Sequence, residues 1–145
     1  GLLDGIKMGD TVIAMSATAD DTTPIRYSGV SGFSPTATFA LVQAAVDLAS
    51  AEGSAVHVGP IVTSGLFYDP DATAFAKWKS TGHVGVEMEA AMMYTVAATH
   101  HIEALAMMTV SDVLGDDGST VRISDEELTQ GVDTMMHLAC RIAVS

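Results

Sequence analysis

The chain has 145 residues, 48% of them hydrophobic and 17% charged, which suits one globular domain over residues 1–145 with a substantial core. Six basic against eighteen acidic residues give a net charge of −12, which would repel nucleic acids and anionic membrane surfaces. The apolar runs are far shorter than the ~20 residues of a membrane-spanning helix, and no targeting segment is recognisable. We therefore expect a cytoplasmic protein without nucleic-acid or membrane partners.

The first part of the chain predicts two strands and one helix. Residues 10–16 are apolar and β-branched, which is typical of a buried strand, and residues 20–34 have the composition of a loop. Ser34 and Pro35 are preferred at the start of a helix, and Gly53 is typical of its end. The apolar residues that recur on one face of this helix are Phe39, Val42, Val46 and Ala49. Residues 56–63 form the second predicted strand.

The second part continues the alternation of strands and helices. We expect a short helix from Asp69 to near Gly82, a strand over residues 84–88 and an alanine-rich helix over residues 90–101. Residues 104–110 are apolar without interruption, which is typical of a strand buried on both faces. The pattern predicts an α/β fold whose central sheet is mixed but largely parallel and is flanked by helices.

A capping box predicts the closing helix, because Ser124 is followed three residues later by Glu127. The apolar stripe of this helix consists of Leu128, Val132, Met135, Met136, Ala139 and Ile142. Cys140 lies in the same pattern and is expected to pack in the core. Residues 115–118, with the sequence GDDG, are expected to form a solvated turn rather than a calcium site, and we expect no metal site elsewhere.

Ligands of open parallel sheets bind beyond the carboxyl ends of the strands, and polar residues follow three of the predicted strands. The first such segment, TSGLFY at residues 63–68, contains two adjacent aromatic residues. Phe67 and Tyr68 could form a stacking wall for a flat ligand, or they could simply cover the core.

The second segment, VEME at residues 86–89, holds two carboxylates at a junction of strand and helix. Strand alternation would place Glu87 and Glu89 on the same side. One acidic residue near a helix N-terminus is ordinary, since it complements the helix dipole. Two of them suggest a binding function, because a carboxylate can accept hydrogen bonds from both hydroxyls of a vicinal diol such as ribose.

The third segment, TVSD at residues 109–112, follows the apolar strand. Asp112 could be a turn residue, or it could be an acid that donates a proton to a leaving group.

Taken together, these segments resemble the nucleoside phosphorylase and nucleosidase superfamily, and most closely a bacterial-type purine nucleoside phosphorylase. The resemblance rests on GVEMEAA at residues 85–91, TVSD at 109–112, SGLFY at 64–68 and KMGD at 7–10. It covers nearly the whole chain but only roughly the last three fifths of a family member. It implies the fold of that family, phosphorolysis of purine nucleosides, a homo-oligomer that is hexameric or based on dimers, and no cofactor besides phosphate as co-substrate.

The resemblance also implies roles for individual residues. Phe67 would stack on the base, Met88 would pack beneath the sugar, and Glu89 would bind the ribose hydroxyls.

The same resemblance makes Asp112 the general acid that protonates the purine as the glycosidic bond breaks. Ser111 and the backbone of Val86 and Glu87 would shape the base pocket. Related enzymes pair the acid with an arginine near the start of the last helix, where this chain has the acidic stretch SDEEL at residues 124–128. Arg122 could serve as the charge partner instead if residues 113–123 fold over the site.

A phosphate site is the feature that these residues do not supply. The arginines are Arg26, Arg122 and Arg141, and none lies in a recognisable phosphate-binding motif. In the family, this site comes from the preceding part of the chain and from a neighbouring subunit. A nucleosidase that hydrolyses the same bond and a non-catalytic nucleoside-binding or assembly module are therefore the alternative functions.

Overall fold

A four-stranded sheet forms the centre of the computed structural model, which describes residues 1–114 and 120–144. Its strands lie in the order β3-β2-β1-β4, with β1 at Thr11–Ala19, β2 at Val56–Thr63, β3 at Gly85–Glu87 and β4 at Ala106–Thr109. β1, β2 and β3 are parallel, whereas β4 is antiparallel to β1. The predicted mixed, largely parallel sheet is confirmed.

Five helices and a second, two-stranded sheet complete the described part of the chain. The helices are α1 (Thr23–Ser28), α2 (Phe39–Glu52), α3 (Ala74–Ser80), α4 (Ala90–His100) and α5 (Asp125–Ile142). The small sheet pairs β5 (Asp112–Leu114) with β6 (Thr120–Arg122) in antiparallel fashion. The turn expected at residues 115–118 lies outside the described residues.

Alternation along β1 divides the core into two clusters. Val12 and Ala14 pack in one cluster with Tyr94 of α4, while Ile13 packs in the other with Leu138 of α5 and with α2. Successive side chains of a strand point to opposite faces, so the two clusters cover the two faces of the sheet. The two apolar faces of β1 are therefore covered by α4 on one side and by α2 and α5 on the other.

The end of α2 and the start of α5 follow the predicted signals, but the starts of α2 and α3 do not. Gly53 ends α2 in the left-handed conformation, and Ser124 and Glu127 form the complete capping box of α5. The start of α2 is four residues later than Pro35, because the preceding segment pairs with β1: Thr36 bridges to Ser16. Phe39, at the first position of the helix, is 76% exposed and does not belong to the apolar face. α3 begins at Ala74 and not at Asp69, because the Asp69 and Asp71 carboxylates accept from the N–H groups of Asp71 and Thr73 and form turns before the helix.

Three further predictions are wrong. β4 is not buried on both faces: it is an edge strand with half-buried side chains, since it pairs only with β1. The segment over residues 20–34 is not entirely a loop, because it contains α1, which begins with Pro24 in its first turn. Cys140 is exposed, because Leu138 and Ile142 carry the buried face of this end of α5. No helix in the described ranges is long and apolar enough to cross a membrane.

Candidate active site

The carboxyl ends of β1, β2 and β3 meet at one edge of the sheet, called here the carboxyl edge. The register places Ala19 beside Thr63, and Thr63 beside Glu87. The residues that follow, Asp20 and Ser64 among them, therefore lie together at this edge. Two of the three predicted segments, those containing Phe67 and Glu89, leave the sheet here.

Phe67 and Tyr68 project from the loop that follows β2. Their side chains are 75% and 87% exposed, so the interpretation in which they cover the core is wrong. The two rings contact each other edge to face, with centroids 5.0 Å apart and an interplanar angle of 78°. An exposed aromatic pair at the carboxyl edge leaves a ring face available to a flat ligand.

Glu87 uses both of its carboxylate oxygens within the protein. Oε1 accepts a hydrogen bond from the Thr63 hydroxyl. Oε2 accepts from the backbone N–H groups of Glu89 and Ala90, both at 2.7 Å. The Thr63 hydroxyl in turn accepts from the N–H of Ala91 at 2.9 Å. Glu87 therefore satisfies the free N–H groups at the start of α4, where a negative charge is also favoured by the helix dipole.

Glu89 differs from Glu87 in its surroundings. β3 ends at Glu87, so the alternation that predicted both carboxylates on one side does not extend to Glu89. Glu89 is exposed, and its carboxylate forms no hydrogen bond with the described residues. Met88, between them, is 43% exposed, and Val86 is half-buried beside Val62 of β2. The predicted sugar-binding residues Met88 and Glu89 are thus open to a ligand.

Ser111 and Asp112 follow the edge strand β4. Because β4 is antiparallel to β1, its last residue, Thr109, lies beside Thr11, the first residue of β1. β4 therefore ends beside the first residue of β1, whereas the segments that contain Phe67 and Glu89 leave the sheet at the carboxyl edge. Asp112 itself lies near Val84, the residue before β3, because its carbonyl accepts from the Gly1 amino group at 2.6 Å and the N–H of Leu2 donates to the carbonyl of Val84 at 3.0 Å.

The local surroundings of Asp112 bring it next to two predicted partners. The Ser111 hydroxyl donates to Asp112 Oδ2 at 2.6 Å, and both residues are half-buried. Asp112 and Arg122 are direct cross-strand neighbours in β5 and β6. Arg122 is exposed, and these two described side chains do not form an ion pair with each other. Part of the expected covering segment, residues 115–119, lies outside the described residues.

Two residues of this edge were missed by sequence reasoning. Thr63 and Asp20 are the last residue of β2 and the first residue after β1, respectively. Their signal was available, since each is a polar residue directly at the carboxyl end of an apolar strand. The sequence did not show that their partners would be protein groups, Glu87 for Thr63 and Ser64 for Asp20.

The phosphorylase superfamily model matches residues 1–144. Similar proteins include DeoD-type purine nucleoside phosphorylases from an Exiguobacterium species, 39% identical over 99% of this chain, and from Alkaliphilus metalliredigens, 36% identical over 95% of it. Another from Clostridium beijerinckii is 43% identical over 77% of this chain. The chain spans 60%, 58% and 47% of the lengths of these relatives, respectively. The resemblance stated from the sequence motifs is confirmed: the chain belongs to the phosphorylase superfamily.

Proposed function

We propose that this chain contributes the nucleoside-binding part of an enzyme that phosphorolyses purine nucleosides to free base and (deoxy)ribose 1-phosphate. The observation that carries the proposal is the exposed aromatic ring of Phe67 at the same sheet edge as the exposed Glu89 carboxylate, which has no hydrogen-bond partner among the described residues. The names of the relatives, all DeoD-type purine nucleoside phosphorylases, favour this reaction over hydrolysis.

The residues of the carboxyl edge match the two parts of a nucleoside. The Phe67 ring offers a flat apolar face to the purine, and Glu89 offers two acceptor oxygens to the ribose hydroxyls. Met88 is an apolar surface against which the sugar can pack. Glu87 supports this segment rather than the substrate, because its carboxylate is already hydrogen-bonded to Thr63 and to the start of α4.

The reaction breaks the bond between the sugar and the base while phosphate attacks the sugar carbon. The electron pair of that bond goes to the base, which must take up a proton, and we assign this proton to the Asp112 carboxyl with Arg122 as charge partner. β4, which precedes Asp112, ends beside the first residue of β1, so the family resemblance carries this assignment and the Asp112→Asn variant tests it. The co-substrate is phosphate, and no other cofactor is part of the proposal.

Phosphate needs convergent cationic or N–H donors. We assign them to a segment corresponding to the part of the relatives that this chain does not span, or to another copy of the chain. We therefore expect a homo-oligomer, hexameric or built from dimers, that works in cytoplasmic purine salvage.

The test is the release of free base from inosine, guanosine and adenosine by the purified chain, with and without phosphate. Release that depends on phosphate supports phosphorolysis, whereas release without phosphate would establish a nucleosidase. Nucleoside binding without release in either condition would mean that the phosphate donors lie in a segment that this chain does not supply, or that the chain is a non-catalytic binding module. In the Asp112→Asn variant, the rate of base release should fall by about 100-fold or more, because general acid catalysis contributes about 10²–10⁴-fold. Its affinity for inosine should be retained.

A further inference from the structure

Asp20 ties the loop that carries Phe67 to the end of β1. Its Oδ2 accepts a hydrogen bond from the Ser64 hydroxyl at 2.6 Å, and its Oδ1 accepts from the N–H of Gly65 at 3.0 Å. The backbone N–H of Asp20 donates to the carbonyl of Thr63 at 3.1 Å. One residue therefore contacts three successive positions at the beginning of the loop.

Apart from contacts within the loop, such as the hydrogen bonds of the Ser64 hydroxyl to the N–H and carbonyl of Leu66, apolar packing does little to hold it. Leu66, Phe67 and Tyr68 are 56%, 75% and 87% exposed, so burial of their side chains contributes little to fixing the backbone. Polar contacts must then determine where the loop lies. A hydrogen bond to a charged acceptor is stronger than a neutral one, so the Asp20 carboxylate is the principal polar anchor.

The same tie reaches the sugar-binding segment. The N–H of Ser64 donates to the carbonyl of Glu87 at 2.8 Å, and the Glu87 carboxylate holds the start of α4. A continuous set of hydrogen bonds thus runs from Asp20 through Ser64 to the segment that contains Glu89. These hydrogen bonds link the backbone just before Phe67 to the backbone of Glu89.

We propose that Asp20 is a positioning residue that fixes the Phe67 loop relative to Glu89 and thereby sets the affinity for the purine base. The inference rests on the proposed function, since it assigns the base to Phe67. Both carboxylate oxygens are used, so asparagine can replace only one acceptor and alanine replaces none.

The experiment compares Asp20→Ala, Asp20→Asn and Ser64→Ala with the unmodified chain. Calorimetry measures the affinity for inosine and for hypoxanthine, and NMR measures hydrogen exchange of the Gly65 amide. Asp69→Asn is the matched control, because Asp69 lies just beyond the same loop and, within residues 1–114 and 120–144, its carboxylate accepts only from the N–H of Asp71.

Asp20→Ala should weaken both affinities by about tenfold, as expected for the loss of two hydrogen bonds, and should accelerate exchange at Gly65. Asp20→Asn and Ser64→Ala should have intermediate effects, and the control should have none. An equal loss of affinity for inosine and hypoxanthine indicates positioning of the base, which both ligands contain. An unchanged Tm distinguishes this effect from a general loosening of the fold.

Two results would overturn the inference: unchanged Gly65 exchange in Asp20→Ala, or faster exchange with unchanged affinity. If the unmodified chain binds neither inosine nor hypoxanthine, the proposed function fails for this chain and with it the claim about affinity. The exchange of Gly65 then still decides whether Asp20 holds the loop.

Discussion

Arg122 lies directly opposite Asp112 in the antiparallel pair of β5 and β6, so the two side chains leave the same face of this small sheet. The family resemblance implied that Arg122 could serve as the charge partner of Asp112 if residues 113–123 fold over the site. The structure provides proximity without a direct ion pair between these two described residues. Because Arg122 is exposed and forms no ion pair with Asp112, we expect it to contribute little to stability, and the role proposed for it is in the reaction.

Replacing Arg122 by glutamine should therefore affect catalysis more than folding. We expect phosphate-dependent base release to fall by about tenfold or more, because a positive charge near the acid stabilises charge that develops in the transition state. The unfolding free energy should change by less than about 0.5 kcal/mol. Base release and urea unfolding of the same preparation check both parts.

Arg141→Gln is the matched control for this charge change. Arg141 lies in the last turn of α5 and pairs with Glu52 of α2, away from β5 and β6. Base release should be unaffected in this variant. Equal losses of activity in both variants would mean that net charge, rather than proximity to Asp112, is responsible.

Glu87 and Glu89 should give opposite results when each is replaced by glutamine. Glu87→Gln removes the charge that accepts from two N–H groups of α4, and we expect a loss of about 1–2 kcal/mol in unfolding free energy. Glu89→Gln should change stability by less than about 0.5 kcal/mol.

Inosine affinity supplies the second half of this comparison. A hydrogen bond to a charged group is worth about 1.5–3 kcal/mol, so Glu89→Gln should weaken inosine binding by about tenfold or more. Urea unfolding and calorimetry on the two variants separate the roles. A stable Glu87→Gln protein together with a destabilised Glu89→Gln protein would contradict this division.

The two glutamates also illustrate what the sequence can and cannot predict. The strands, the capping box and the end of α2 at Gly53 depend on local signals, and the predictions from those signals are confirmed. The partners of Glu87 and Asp20 depend on the register of β1, β2 and β3, which is set by packing across the chain. A pattern of residues within one segment does not contain that information.

The direction of β4 had the largest consequence for the site. An apolar strand after a helix is usually parallel to the preceding strands, and a parallel β4 would place Asp112 at the carboxyl edge. Pairing of Ala106 with Ala14 and of Thr109 with Thr11 reverses the strand. Strand direction is decided by how the connection returns to the sheet, here residues 101–105, and not by the apolar run itself.

Replacing Gly131 by alanine should destabilise the protein, although Gly131 lies within helix α5, where alanine is normally preferred. A Cβ at this position would lie 2.7 Å from Thr109 Cγ2 and 2.8 Å from the carbonyl oxygen of Gly9. Alanine normally stabilises a helix interior by about 1 kcal/mol relative to glycine, but overpacking against backbone costs about 1–3 kcal/mol. We expect a net loss in the unfolding free energy of Gly131→Ala, measured in urea.

Gln130→Ala is the control for the helix propensity of this region, because Gln130 is the exposed neighbour of Gly131. Its unfolding free energy should stay within about 0.5 kcal/mol of the unmodified chain. A stabilised Gly131→Ala protein would show that α5 can move away from β4, and the close contact would then not determine the position of the helix.

Tyr94 should make the fold sensitive to alkaline pH. Its hydroxyl donates to the carbonyl of Ala14 at 2.5 Å and accepts from the N–H of Ala106 at 2.9 Å, and the side chain is 1% exposed. Burial raises the pKa of the phenol above its ordinary value; the hydrogen bond from the N–H of Ala106 partly offsets this rise, and the Glu87 carboxylate adds to it.

A raised pKa in the folded state means that folding favours the neutral phenol. The contribution of the neutral phenol to the unfolding free energy is fully present below the ordinary tyrosine pKa of about 10. It is lost as the pH rises through the pKa of the folded state. Tyr94→Phe should cost about 1–3 kcal/mol near neutral pH, because the carbonyl of Ala14 and the N–H of Ala106 lose their partner. In this variant, the unfolding free energy should also decline less at alkaline pH, because the share of the decline that comes from Tyr94 is absent.

Urea unfolding between pH 8 and about 11.5 checks this expectation, with Tyr68→Phe as the control. Tyr68 is 87% exposed, so its variant should follow the unmodified chain at every pH. The difference in unfolding free energy between the unmodified chain and Tyr94→Phe should be constant up to about pH 10 and then narrow. A constant difference across the whole range would mean that the Tyr94 phenol does not titrate with unfolding, and lysine deprotonation would then account for any decline.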